Sequence, residues 1–220
     1  MKLQDIENVV EKQKMKNGET VVLSYDECNQ DFNEIIGDCY SGFHLVRGKL
    51  YLQEWINRHV PHETQGLREE IVEKIFLRKN CTEDFIKEMS TWLKNKNFLA
   101  LPLYIHEHSG VTYSVNPIPF GNQFDGGCIP GGFIILDKVK VRQLFGIKKL
   151  TTKKVEKEVK AFVQDYMSWA NGSIYSSYLI NEVDDVIDEI HGILDNGQTE
   201  SEQLESIISN YFEIEYAIAS

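Results

Sequence analysis

The stretch FLALPLYIHEHSGVTYSV (Phe98–Val115), taken with GGFIILD (Gly131–Asp137), decides the fold. Phe98 to Ile105 is an apolar run broken only by Pro102, and Val111, Tyr113 and Val115 alternate with polar residues. Alternation of period two is the signature of a half-buried strand, and Ser109-Gly110 between the two runs is a turn signal. The pattern predicts a hairpin around Ser109-Gly110. A long loop from Asn116 to Gly132, rich in Gly and Pro, follows, and then a buried third strand at Phe133–Leu136. Asp137 is placed to cap a helix running to Phe145, with Gly146 as its stop.

Downstream, Thr151 or Thr152 opens a helix to about Ala170, with Val155, Val159, Phe162, Val163, Tyr166 and Trp169 as its apolar stripe; Asn171-Gly172 ends it. Ile174–Ile180 alternates as a strand. Val183, Val186, Ile187, Ile190, Ile193 and Leu194 fit a helical face, with a strand pairing as the alternative. Asn196-Gly197 is a turn, and Glu202–Ala219 reads as an acidic helix. Upstream, Leu3, Ile6, Val9 and Val10 suit an amphipathic helix over 1–16, ended by Asn17-Gly18. Val21–Tyr25 is a strand, and 26–50 is loop-like with short extended pieces. Leu50–Val60 is a short helix stopped by Pro61, Leu67–Leu77 has helical spacing, and Thr82 caps a helix through Leu93. The expected class is α+β: a small antiparallel sheet, flanking helices and an acidic helical C-terminus. The expected organisation is an N-terminal helix and strand region (1–60), a helical insert (61–97), a central α+β core (98–195) and the acidic helix (196–220).

With 220 residues, 42% hydrophobic and 26% charged, the chain is long enough to bury a core without metal or disulfide staples. Its charge is laid out unevenly. Residues 181–220 contain no Lys or Arg and hold eleven acids, among them Glu182, Asp184, Asp185, Asp188, Glu189, Glu202 and Glu205; these account for the whole net charge of −11. Just before them, residues 138–160 carry nine bases, including Lys148, Lys149, Lys153 and Lys154, against two acids. The four cysteines form no CxxC pair, and the charged start has no apolar signal core. The sequence therefore predicts reduced thiols in a cytoplasm, with no membrane span.

The run LPLYIHEHSGVT (Leu101–Thr112) resembles a segment, L-P-L-Y-x-x-x-H-S-G-[IV]-T, of a family of phage and prophage proteins of unassigned function. In that family a loop W-D-S-G-Q-x-G-[FW]-I-Y follows. Here it is similar to FDGGCIPGGFII (Phe124–Ile135), with Phe124 where the family has Trp and Gly126 where it has Ser. Lys138–Leu150 and Asp165–Ile180 resemble later family segments, and the likeness covers roughly residues 26–195. It implies a phage protein at work in a host bacterial cell, and it supplies no catalytic residues.

Four groupings can carry chemistry. On a strand His106 and His108 share a face, and with Asp125, His44 or Cys128 they can hold Zn²⁺ or serve a hydrolase or nuclease. The glycines of 126–132 can bring backbone N–H groups to a phosphate. The basic stretch, with Phe145 and Tyr166 near it, can follow a nucleic-acid backbone. The acidic region can imitate that backbone and compete for a positive groove. The leading expectation is an accessory protein, without cofactor, that binds and inhibits a host defence nuclease complex, such as a CRISPR effector or a restriction enzyme. RNA or DNA binding through 138–160 comes second. A small metal-dependent hydrolase at His106 and His108 comes last, because no Ser-His-Asp or Cys-His motif supports it.

Overall fold

The computed structural model describes residues 1–26, 31–60, 83–94, 97–107, 110–118 and 130–212. The class is α+β, and the strands divide between two four-stranded antiparallel sheets. The chain forms two compact units: Met1–Ile36 with Ser168–Ser220, and Gly37–Met167. Strand pairing, not chain order, makes this division, because β2 (Thr20–Tyr25) pairs along its whole length with β7 (Ile174–Ile180).

In the first unit the sheet order is β1 (Val9–Lys14), β2, β7, β8 (Val186–Leu194). One face packs under helix α6 (Glu200–Ile207) and the wider π-type turn Ile208–Phe212. Val21, Leu23, Tyr175 and Leu179 meet Leu204, Ile207, Ile208 and Phe212 there. The helix expected over 1–16 is instead a single 3₁₀ turn, Leu3–Asp5, followed by strand β1. Asn17-Gly18 is not a helix stop but the tip of a hairpin, with Gly18 at φ +94° and the Met15 N–H donating to Glu19 O at 2.8 Å. The helical face expected at 183–194 is also a strand, as the alternative pairing had it. Two register shifts against β7, near Tyr175–Ser177 and Leu179–Ile180, break the period-two alternation. The remaining apolar spacing, Val186 then Ile190 then Ile193, imitates a helix.

In the second unit the sheet order is β3 (Phe43–Arg47), β6 (Pro130–Asp137), β4 (Phe98–Glu107), β5 (Val111–Ser114). The predicted β4–β5 hairpin and third strand are present. Pro102 is tolerated inside β4 because β5 pairs only from Tyr104 onward, so no ladder bond on that side needs its missing N–H. One sheet face (Val46, Phe98, Ala100, Phe133, Ile135) is covered by two helices. Helix α2 (Gly48–His59) presents Leu52, Trp55 and Ile56; α3 (Glu83–Lys94) presents Met89, Trp92 and Leu93. Both sets recur at i, i+3, i+4, one stripe of a helix. The region 26–50, expected as loop with short extended pieces, contains one such piece, the strand β3, and also a short helix α1 (Phe32–Ile36) outside that expectation. The expected helix at Leu67–Leu77, and all of the long loop from Pro119 to Ile129, lie outside the described residues.

The turn from sheet to helix follows the sequence. Asp137 accepts from the N–H groups of Val139 (2.8 Å) and Lys140 (3.2 Å), starting α4 (Lys138–Leu144). Gly146, at φ +62°, ends it. The long α5 (Thr152–Ala170) then buries Val155, Val159, Phe162 and Val163.

Candidate functional site

Two units with different charge carry the residues singled out by sequence. The first holds 4 basic and 19 acidic residues, a net −15; the second holds 19 basic and 15 acidic, a net +4. The chain's −11 is thus the sum of one strongly acidic unit and one mildly basic one.

The acidic residues do not lie on two helices as expected. Glu182, Asp184 and Asp185 sit in the turn between β7 and β8. There the Asn181 side-chain oxygen accepts from the N–H groups of Val183 (3.0 Å) and Asp185 (2.9 Å), and Asp184 takes φ +63°. Asp188 and Glu189 stand exposed on β8, an edge strand. Glu202 and Glu205 are on α6. Three of the seven have partners inside the unit, Glu189 through His191 Nε2 at 3.5 Å. Asp185 pairs with Lys2 at 2.9 Å, raising the lysine's pKa through the hydrogen bond and the opposite charge. Glu202 closes a capping box with Thr199, accepting from its N–H at 3.0 Å, and this bond holds the carboxyl below its ordinary range. Glu182, Asp184, Asp188, Glu189 and Glu205 face solvent.

The basic residues fall on one short stretch of surface. Lys148 and Lys149 lie in the α4–α5 turn, and Lys153 and Lys154 in the first turn of α5; all are exposed, and none makes an ion pair among the described residues. Phe145 beside them is 37% exposed. Tyr166, grouped with Phe145 by sequence, instead packs edge-on against Tyr113 at 5.3 Å.

His106 lies near the end of β4 opposite Thr112. His108, Asp125 and Cys128 lie outside the described residues. Glu107, between the two histidines, is ion-paired with Arg47, whose guanidinium lies 5.4 Å from the centre of the Tyr113 ring. His44 is not placed to join His106. It lies opposite Ile135, which lies opposite Ala100, so His106 is six residues further along β4, about 20 Å. Among the described residues no three His, Cys, Asp or Glu side chains gather as a metal requires.

Two polar clusters escaped the sequence reading. His44 packs against both Trp55 (5.6 Å) and His59 (4.7 Å), which stack on each other at 5.0 Å. Burial, then the neighbouring His59 and Lys140, push the His44 pKa down to about 4; burial also lowers that of His59. The signal was Trp55 and His59 at i, i+4 on one helix. In the other unit Ser176, 1% exposed, lies 2.8 Å from Asp26 Oδ2 and 2.7 Å from His191 Nδ1, while the Gly192 N–H donates to the same carboxylate at 3.2 Å. The residue types are those of a hydrolase triad, but their order is not. The serine is in the middle, its proton goes to the carboxylate, and it is sealed from solvent. A triad needs the imidazole between acid and hydroxyl to act as base. This trio is a brace joining the end of β2 to β7 and β8.

No protein-family model, curated protein or solved structure matches the chain. Among the described residues no helix is long and apolar enough to cross a membrane.

Proposed function

We propose that the chain is a binding protein whose acidic unit occupies the positively charged nucleic-acid groove of a host defence nuclease complex and inhibits it. The net −15 of that unit is the observation that carries this reading. Its described acids stand on folded elements: the turn acids are fixed by Asn181 and Lys2, and those of α6 by the helix. Fixed carboxylates on a rigid scaffold steer association with a cationic groove and fall off with salt. The phage setting implied by the Leu101–Leu150 resemblance supplies the kind of target. The surface acids Glu182, Asp184, Asp188, Glu189 and Glu205 make the contacts, with Glu202 and Asp185 holding the scaffold.

The test is a tagged pull-down from the bacterial host, with and without added nuclease, reading proteins and nucleic acids. A nuclease complex that survives nuclease treatment, and is lost when Glu182, Asp184, Asp188 and Glu189 are changed to Lys, supports the reading. Capture and inhibition indifferent to this charge reversal would end it.

A further inference from the structure

The exposed lysines of the second unit are independent of the acidic unit's partner, and they differ from an ordinary solvated helix face. Such faces pair lysine with glutamate at i, i+4, as Lys160 does with Glu156 at 2.7 Å. Lys148, Lys149, Lys153, Lys154 and Lys157 make no such salt bridge among the described residues, although Lys153 is near enough to Glu156 to help lower its pKa. Lys153 and Lys157 are one helical turn apart, about 6 Å along the axis, and Lys148 and Lys149 extend the row into the preceding turn.

An aromatic ring stands three residues before Lys148, at the end of α4. Phe145 is 37% exposed and follows the exposed Leu144. Its inner side meets Phe43 edge-on at 6.0 Å, and Phe43 belongs to a group of rings with Tyr40 (5.5 Å) and Phe162 (5.3 Å). Tyr40 is fixed in turn by donating to Asp165 at 2.5 Å. Phe145 is thus an anchored ring with part of its surface in water. A row of unpaired cations beside an anchored exposed ring is what a single-stranded nucleic acid requires: charge for its phosphates and a platform for an unstacked base. A duplex, with its bases already stacked, cannot use the ring.

We propose that the second unit carries a binding site for single-stranded nucleic acid, in which Lys148, Lys149, Lys153, Lys154 and Lys157 hold the backbone and Phe145 stacks on a base. The full-length chain is titrated into fluorescein-labelled oligo(U) RNA and oligo(dT) DNA of about 16 nucleotides, and into a duplex of the same length, with anisotropy as the readout. Both single strands are expected to bind more tightly than the duplex. Their relative affinity tells whether the ribose hydroxyl adds a contact. The log–log salt dependence is expected to have a slope of about −3.5, about 0.7 for each of five lysines.

Changing Lys148, Lys149, Lys153 and Lys154 to Glu is expected to weaken binding by at least about tenfold and to flatten that slope. Phe145→Leu keeps the contact with Phe43 and is expected to weaken binding roughly 5- to 100-fold with the slope unchanged. Phe145→Tyr retains the ring and is expected to retain affinity. Circular dichroism confirms that the variants fold; the lysine changes touch only exposed side chains. The proposal is overturned by any of four results: no anisotropy change at low salt, binding that survives the lysine reversal, indifference to Phe145→Leu, or co-sedimentation with anionic vesicles in place of oligonucleotide binding.

Discussion

Acidification is expected to weaken the second unit through His44, and the size of the effect follows from the ring's surroundings. His44 sits against Trp55 and His59 with its pKa pushed down to about 4, and Lys140 opposes its protonation while Asp137 favours it. An unfolded histidine titrates near 6.5. Between these values the unfolded chain binds a proton that the folded chain refuses, so stability rises with pH across that window. The contribution is fully present above pH 6.5 and is lost as pH falls from 6.5 to 4. The full difference corresponds to about 3 kcal/mol; partial solvation of the ring reduces this to about 2 kcal/mol. Urea unfolding is followed by tryptophan fluorescence in a Trp169→Phe background, which leaves Trp55 and Trp92 as reporters of this unit. Between pH 7 and pH 4 the chain with His44 is expected to lose about 2 kcal/mol more than one with His44→Phe, which keeps an aromatic ring against Trp55. Equal losses in the two chains would refute the reasoning and place the imidazole in water.

Three further perturbations test the scaffold. A Cβ on Gly132 would stand 2.2 Å from the Val46 carbonyl oxygen across the β3–β6 ladder, so Gly132→Ala is expected to cost about 1–3 kcal/mol by thermal or urea denaturation. Ser176→Ala removes the hydroxyl that donates to the Asp26 carboxylate, 8% exposed, at 2.8 Å. The expected loss is about 1.5–3 kcal/mol, and in a double-mutant cycle with Asp26→Asn the two losses are not additive. Thr199→Ala removes the cap of α6 and is expected to cost about 1 kcal/mol, read by chemical denaturation.

The parts of the fold visible in sequence are those fixed by local chemistry. Asp137 announces α4 because its own carboxylate takes the first N–H groups of that helix, and Gly146 and Gly172 announce helix ends because both take positive φ. The β4–β5 hairpin is visible because its partners are adjacent in the chain. β1 is misread, and β8 is left open between helix and strand, because their partners are what make them strands. The weak apolar spacing of residues 3–10 suits either structure until β2 is beside it, and β8 owes its false helical period to bulges that exist only in register with β7. The second sheet is hidden for the same reason: β2 finds β7 about 150 residues away, a pairing no local window contains.

Charge was legible and geometry was not. The acid-rich end and the basic run can be counted in the sequence, but counting assigns each to a stretch of chain, whereas folding assigns each to a unit. The N-terminal 36 residues, which hold 8 acids and 4 bases, join the acidic end through β2 and β7 and deepen its charge from the −11 of residues 181–220 to −15. What remains is a unit with a small positive balance, and its exposed lysines need not compete with those carboxylates for a place on the same sheet. A net charge of −11 for the whole chain therefore argues less strongly against nucleic-acid binding than it does before folding is considered. At about 0.15 M salt the screening length is about 8 Å, so a phosphate at Lys153 responds chiefly to the charges within a few side chains of it. Along the chain these include Lys154 and Lys157, together with Glu156, on which Lys153 acts and which pairs with Lys160, and Glu158. Bases outnumber acids nine to two along residues 138–160 although the molecule is negative, and binding that follows this stretch is what distinguishes a built surface from a composition.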